Sequence, residues 1–302
     1  MPDVCVIVNP AAGRGQGRKV EQDVRRAFAA VGVADLRLTR AAGDEQLLAR
    51  RAIEEGVGTI VAVGGDGTWG NVANAIIASG ADVRLALCAA GTGNDFAKSV
   101  GAPANDFAAT ARLAVAGPDV AVDVGRIENR HFLNVTGFGF DIAVIEDVAT
   151  IRWLKGDLLY MYSAMRQLFG YPGVPVTLSS GNGTVGLTSH LMVIIANGKN
   201  FGGAFRIAPN ASVTDGRLDA VAIRTVAPFK RIGLFSAAAR GTHLTHPDVR
   251  SEQAPRFTLS FATPPAYETD GEYNRAASST LEVACVPGAL RVVTPMATPA
   301  RA

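Results

Sequence analysis

Cysteine is scarce in this sequence. Cys5, Cys88 and Cys285 are the only three, far apart, and two of them lie in apolar strand-like runs. Without paired spacing they exclude a disulfide framework and a Cys/His zinc site, and they read as small buried hydrophobes of a reducing compartment. Long apolar runs are also missing: nothing approaches the roughly 20 residues a membrane span requires. The opening Met1-Pro2-Asp3 lacks the charged-then-apolar layout of a signal peptide. The expectation is a soluble cytoplasmic protein for which peripheral contact with a membrane surface stays open. An excess of one charge is absent too. Lys+Arg 29 against Asp+Glu 27 leaves a formal net charge of +2. With no long basic run and no nucleic-acid-binding motif, no nucleic acid partner is expected.

Glycine is plentiful, and it falls in telling places. Thr59 to Val63 is a β-branched run that reads as a buried parallel strand, and it empties into Gly64-Gly65-Asp66-Gly67-Thr68. Helical apolar spacing then begins at Asn71. A strand, a Gly-rich turn and a helix N-terminus form an anion site. Glycine lets the backbone approach a phosphate, free N–H groups point outward, and the helix dipole favours negative charge. Asp66 and Thr68 could also order a hydrated metal or a ribose hydroxyl. A ligand-free tight turn is the simpler alternative for any one such loop.

Two further units repeat the pattern. Val4 to Val8 runs into Asn9-Pro10-Ala11-Ala12-Gly13-Arg14-Gly15-Gln16-Gly17, followed by helical spacing from Val20 to Val31. It lacks the Gly-Lys-Ser/Thr ending of a P-loop. Arg84 to Cys88 opens into Ala90-Gly91-Thr92-Gly93-Asn94-Asp95-Phe96. Between them, Leu36 to Thr39 reads as a strand and Asp44 to Gly56 as a helix with Asp44 as N-cap. Three glycine loops after strands of an alternating β/α region should gather at the carboxyl edge of one parallel sheet, where such sheets bind ligands. Phe107 to Val115 closes this region as a helix. From about Asp123 the pattern changes to strand-like runs, including Val120–Ile127, Arg130–Val135, Val174–Leu178, Thr188–Ala196, Gly216–Ile223, Arg256–Phe261 and Thr280–Val286. Helical stretches interrupt at Asp141 to Phe169, broken near Lys155-Gly156, and at Pro228 to Arg240. Leu290–Val293 reads as a strand returning to the first domain, and residues 295–302 as a frayed tail.

Taken together and in order, Asn9-Pro10, Gly64-Gly65-Asp66-Gly67-Thr68, Gly91-Thr92-Gly93-Asn94-Asp95-Phe96, Asn197-Gly198, Asp215-Gly216-Arg217-Leu218-Asp219 and Asp270-Gly271-Glu272 resemble the diacylglycerol-kinase catalytic family. That family includes bacterial lipid kinases and sphingosine kinases and shares its central motif with NAD kinases and 6-phosphofructokinases. The resemblance implies a Rossmann-like, phosphofructokinase-like α/β domain over residues 1–122 plus about 289–302. It implies a mainly antiparallel β-sandwich over 123–288. It further implies ATP- and Mg²⁺-dependent phosphoryl transfer to a lipid hydroxyl, chemistry that needs phosphate clamps, a metal and an aligned base. Carried over residue by residue, Gly64, Gly65, Asp66, Gly67 and Thr68 hold the phosphates and metal. Asn9, Gly13, Thr39, Gly91, Thr92, Gly93 and Asn94 line the nucleotide, with Arg14 on a phosphate. Asp270 matches the general base, with Glu272 beside it and Asp123 linked through hydrated metal. Asp215 matches a second metal site completed by carbonyls near Val213 and Arg217.

Read without that resemblance, Asp270-Gly271 is equally a hairpin turn. Yet Glu268, Asp270 and Glu272 crowd three carboxylates into five residues, which raises at least one pKa and suits a cation. Asp215-Gly216 is likewise a hairpin signal. His243 and His246 lack a third zinc ligand and read as packing residues. Lys155 and Lys199 read as solvated, with Lys155 within reach of an ATP phosphate. Trp153–Tyr162 and Phe229–Phe235 mix apolar, aromatic and basic residues as an interfacial helix does, although a helix packed on a sheet reads the same. One departure stands out: Gly70-Asn71 occupies the place of the family's usual Asn-Glu pair. The rival readings are a kinase of a soluble alcohol or NAD, and a non-catalytic nucleotide-binding regulator. No His-Arg-Asp or Asp-Phe-Gly constellation supports a protein kinase. The acceptor and the oligomeric state are left open, a homodimer included.

Overall fold

The computed structural model describes residues 3–12, 17–151 and 156–295. In chain order its elements are β1 (Val4–Val8), α1 (Gly17–Ala29), β2 (Leu36–Leu38), α2 (Asp44–Glu54), β3 (Thr59–Gly64), α3 (Asp66–Ser79), β4 (Arg84–Ala89), α4 (Asp95–Val100) and α5 (Phe107–Ala116). There follow β5 (Asp119–Ile127), β6 (Arg130–Phe132), β7 (Val135–Gly139), α6 (Phe140–Thr150), α7 (Gly156–Gly170), β8 (Val174–Ser180), β9 (Gly183–Ala196), β10 (Leu218–Arg224) and α8 (Pro228–Arg240). The last are β11 (Val249–Ala254), β12 (Arg256–Ser260), β13 (Ala266–Thr269), β14 (Glu272–Arg275) and β15 (Thr280–Val293). They form two compact units. One comprises the chain to Val124, Val213–Gly216 and the chain from Val286; the other comprises Gly125–Ser212 and Arg217–Cys285.

The first unit is built on parallel strands in the order β2-β1-β3-β4, with Arg291–Val293 of β15 parallel to β4. Val4, Val6 and Val8 pack in a core with Val24 and Phe28 of α1 and Ala111 and Ala114 of α5. The alternate residues Cys5 and Ile7 are equally buried, so both faces are covered. Side chains alternate across a strand, which is why a sheet covered on both faces needs continuous apolar runs. Burial in these strands pushes the Cys5 and Cys88 thiols up to about 12, as expected of inert core cysteines. The N-cap of α2 is Gly43, in left-handed backbone, rather than Asp44. The Asp44 carboxylate instead accepts the N–H groups of Arg40 and Ala41.

The second unit is a mainly antiparallel sandwich. β9 is the hinge of its topology: its first half pairs with β8, and its second half lies between β7 and β10. Val193 and Ile195 of β9 point into one core with Phe138, Phe257 and Leu259. Met192, Ile194 and Ala196 point into another, against Leu234 and Ala238 of α8. The mixed α/β chain with a sandwich of this kind is the fold class the resemblance implies.

Further expectations from the sequence differ: Arg130–Val135 was expected as one strand, but β6 ends at Phe132 and β7 begins at Val135. Thr280–Val286 and Leu290–Val293 were expected as separate strands; β15 runs unbroken through Pro287-Gly288. The helical stretch after Asp141 ends at Thr150, before the expected break. Lys155 and the expected tail from 296 onward lie outside the described residues.

Candidate active site

β1 sits between β2 and β3, so the chain leaves β1 toward one side and reaches β3 on the other. That reversal opens a crevice at the carboxyl ends of the two strands, the usual ligand position in such a sheet. Asn9 stands there, immediately after β1. Its Nδ2 donates to Glu45 Oε1 at 2.9 Å and to Thr68 Oγ1 at 3.0 Å. Its Oδ1 accepts from Ala11 N–H and its own N–H donates to the Val63 carbonyl. One amide side chain thus fastens the loop after β1 to α2 and to the turn after β3. Thr39, buried just beyond β2, donates its N–H to Val8. Glu45 was missed by sequence reading. It is buried, and its Oε2 accepts from Gly43 N–H at 3.1 Å. Only its place in the first turn of a helix hinted at a local role.

The glycine turn works by close approach. A Cβ on Gly64 would lie 2.4 Å from Thr68 Oγ1. Gly65 and Gly91 meet backbone to backbone: a Cβ on Gly91 would fall 2.6 Å from Gly65 Cα. The N–H groups of Ala90 and Gly91 both donate to the Gly64 carbonyl, at 2.8 and 3.1 Å. The second and third glycine loops are therefore one surface. Past Thr92 and Gly93, Asn94 takes left-handed backbone (φ 52°) and donates Nδ2 to the Gly91 carbonyl, while its buried Oδ1 has no partner. Asp66 is the first residue of α3, and the first-turn N–H groups of that helix have no helical acceptor. Its carboxylate accepts from Asp95 N–H at 3.2 Å and Phe96 N–H at 3.1 Å. Burial pushes the Asp66 carboxyl up, and those two bonds pull the other way. Asp66 therefore anchors the start of α4 as well as bordering the crevice. Asn71, in place of the family's pair, accepts from Gln46 Nε2 at 3.2 Å. Gly13 and Arg14 lie outside the described residues.

Asp123, also in the first unit, is buried. Its Oδ2 accepts from Gly216 N–H at 2.7 Å, its Oδ1 from Gly288 N–H at 2.8 Å, and its own N–H donates to the Val213 carbonyl at 2.7 Å. The carboxylate is a latch joining β5 to two returning segments. Asp215 is exposed on the same turn. Among the described residues, no three His, Cys, Asp or Glu side chains gather as a metal centre would require.

In the second unit, Asp270 and Gly271 form the two-residue turn of the β13–β14 hairpin, both at positive φ (49° and 85°). The hairpin expected of this dipeptide is therefore the one observed. The carboxylate accepts three backbone N–H groups: Leu133 at 2.7 Å, Asn134 at 2.9 Å and Val135 at 3.1 Å. Glu272 pairs with Arg130. Glu268 is buried, and its Oε2 accepts from Gly271 N–H at 2.6 Å. Asp141, at the start of α6, was not singled out by sequence reading. Both its oxygens are buried, and burial raises its carboxyl to about 6 against the opposing pull of the Ile142 and Asp141 backbone N–H groups. A Cβ on Gly137 would meet Asp141 Oδ2 at 2.4 Å and Glu268 Oε1 at 3.1 Å, so the two carboxyl groups converge over this glycine. His243 is buried with Nε2 on the Ile207 carbonyl, as a packing residue should be.

Residues 3–127 match the diacylglycerol kinase catalytic domain, and residues 134–294 match the YegS C-terminal NAD kinase beta sandwich-like domain. The chain is 28% identical over 300 residues to a diacylglycerol kinase of Mycobacterium tuberculosis, covering 97% of this chain and 95% of that one. It is 26% identical over 270 residues to a diacylglycerol kinase of Bacillus subtilis, covering 89% of each. In fold it is similar to a diacylglycerol kinase from Bacillus anthracis, with a TM-score of 0.73 and 23% identity over 97% of each chain. An NAD kinase from Archaeoglobus fulgidus in complex with ATP gives a TM-score of 0.51 at 12% identity, covering 96% and 93%.

Proposed function

From a chain that belongs to the kinase family in which a diacylglycerol kinase catalytic domain precedes a YegS-type sandwich, we propose a lipid kinase that transfers the γ-phosphoryl group of ATP to a hydroxyl of a diacylglycerol-like or sphingoid lipid. The observation that carries this reading is the Asp270 carboxylate, held by three amides on the tip of a tight hairpin. Such a group is fixed in direction, as a base aligned with an acceptor hydroxyl must be. Asn9, Thr39 and the joined surface of Gly64–Thr68 with Gly91–Asn94 bind the nucleotide. The first-turn amides of α3 face the phosphates, and the unpartnered Asn94 Oδ1 is an acceptor for a ribose or base donor. Mg²⁺ enters as MgATP, with phosphate oxygens and water supplying most of its ligands. Asp215, with the carbonyls of Val213 and Arg217, would hold a second hydrated cation of the same hard type in a supporting role. Asp123 and Glu272 orient the segments around them.

The test is label transfer from γ-labelled ATP and Mg²⁺ to diacylglycerol, phosphatidylglycerol, ceramide and sphingosine in mixed micelles, with NAD as the soluble acceptor. Labelled lipid is expected, and Asp270→Asn should lower the rate by about 10²–10⁴-fold while ATP binding persists. Label on NAD alone would sink the lipid reading.

A further inference from the structure

Among the described residues, eleven large apolar side chains are exposed, and seven of them belong to two neighbouring helices of the second unit. On α7 these are Leu158, Met161, Tyr162, Met165 and Phe169; on α8 they are Phe229 and Ile232. At about 100° per residue, the five on α7 fall within an arc of roughly 100°, one stripe of the helix. The exposure is large: Leu158 is 60% and Phe229 79% exposed. The Phe169 and Phe229 rings meet edge to face at 5.8 Å, which joins the two helices' residues into one continuous patch. A patch of this extent on a monomer marks an interaction surface.

Charge selects the partner. α7 carries a single acid, Asp157 near its start, and α8 none, while Arg166, Lys230, Arg231 and Arg240 are present. Arg231 is buried, with its guanidinium on the carbonyls of Val226, Leu168 and Tyr171, so it stiffens the platform. Arg166 pairs with Asp147. Lys230 and Arg240 are exposed on α8 itself. An apolar stripe bordered by cations fits an anionic lipid surface, where apolar side chains enter the acyl boundary and cations stay among the headgroups. Two copies paired about a two-fold axis would set these cations against each other. We propose that the α7–α8 face is the surface by which this protein docks on anionic phospholipid bilayers. The inference rests on the lipid-kinase reading for its purpose but not for its observations.

Sedimentation with vesicles tests it without any turnover. Wild type should bind phosphatidylglycerol-containing vesicles, bind phosphatidylcholine vesicles less, and weaken as salt is raised. Met165→Ser/Phe229→Ser should lower the partition coefficient about tenfold or more, and Lys230→Glu should weaken binding to the anionic vesicles alone. These side chains are exposed, so the variants should melt with the wild type. Variant binding equal to wild type would overturn the proposal. So would a wild-type dimer in sedimentation velocity that the double variant dissolves. Micelle-dispersed lipid acceptors run in parallel separate the two readings. Unchanged vesicle binding with label on lipid sinks the docking face alone, and lost vesicle binding with no lipid labelled in any form supports the face while sinking the kinase reading.

Discussion

Asp141 shows how one buried carboxyl ties stability to pH. Burial disfavours the charge and raises its folded pKa to about 6, above the ordinary aspartate range. A carboxyl raised in the fold binds its proton more tightly there than in the unfolded chain. The contribution of this one group to stability is therefore greatest below pH 4, falls as pH rises from about 4 to 6, and stays level above that, the loss being about 1–3 kcal/mol. Asp141→Asn removes the titration. At pH 7 the variant should be about 1–3 kcal/mol more stable than wild type, and the difference should vanish near pH 4. Urea unfolding at the two pH values measures both, and a variant less stable at pH 7 would contradict it. The carboxylates singled out by motif behave differently. Asp66, Asp123 and Asp270 each accept two or three backbone N–H groups. Replacing any of them alters the local chain as well as the chemistry, so a loss of activity must be read beside a melting curve.

At the scale of elements, the joined glycine loops make a sharp prediction. In Gly91→Ala the new methyl meets the Gly65 backbone at 2.6 Å, where no flexible side chain can yield. The two loops must part, and binding of a non-hydrolysable ATP analogue, followed by calorimetry, should weaken at least tenfold while the second unit's core is untouched. Arg231→Met offers a contrast within the second unit. It leaves carbonyls of Leu168, Tyr171 and Val226 without their donor, costs about 2–4 kcal/mol, and should speed amide exchange near the end of α7. Much of this level was legible beforehand. The strand–glycine–helix repeats follow from short-range patterning, and α5 stands close to its expected range, while α3 starts at Asp66, five residues before the expected Asn71. The hairpin at Asp270-Gly271 was readable because that dipeptide tolerates positive φ at both positions. What stayed hidden depends on partners distant in sequence. Nothing near Pro287-Gly288 announces that Asp123, 165 residues earlier, holds the Gly288 N–H and lets β15 continue through a residue that normally ends a strand. Glu45 was hidden for the same reason, since its partner Asn9 is 36 residues away.

For the molecule as a whole, the chain's path sets the problem that Asp123 answers. The first unit is completed by Val213–Gly216 and by the chain from Val286, both reached only after long excursions through the second unit. Closing such long loops is entropically costly, and a single carboxylate bonded to both returning segments offsets part of that cost where the segments meet β5. The same residue is the one that the family resemblance links to hydrated metal, and the two roles give different signatures. As a latch, Asp123→Asn loses one of two acceptor oxygens, leaves the part-buried hydrogen bond to Gly216 or Gly288 unmade, and should cost about 1 kcal/mol. The Mg²⁺ concentration giving half-maximal rate should stay where it was. As a metal-linked group it should shift that concentration severalfold with little change in melting temperature. The bonds in hand favour the first outcome. Thermal melts and a Mg²⁺ titration on one preparation of the variant decide between them, and a melting temperature equal to wild type would remove the latch.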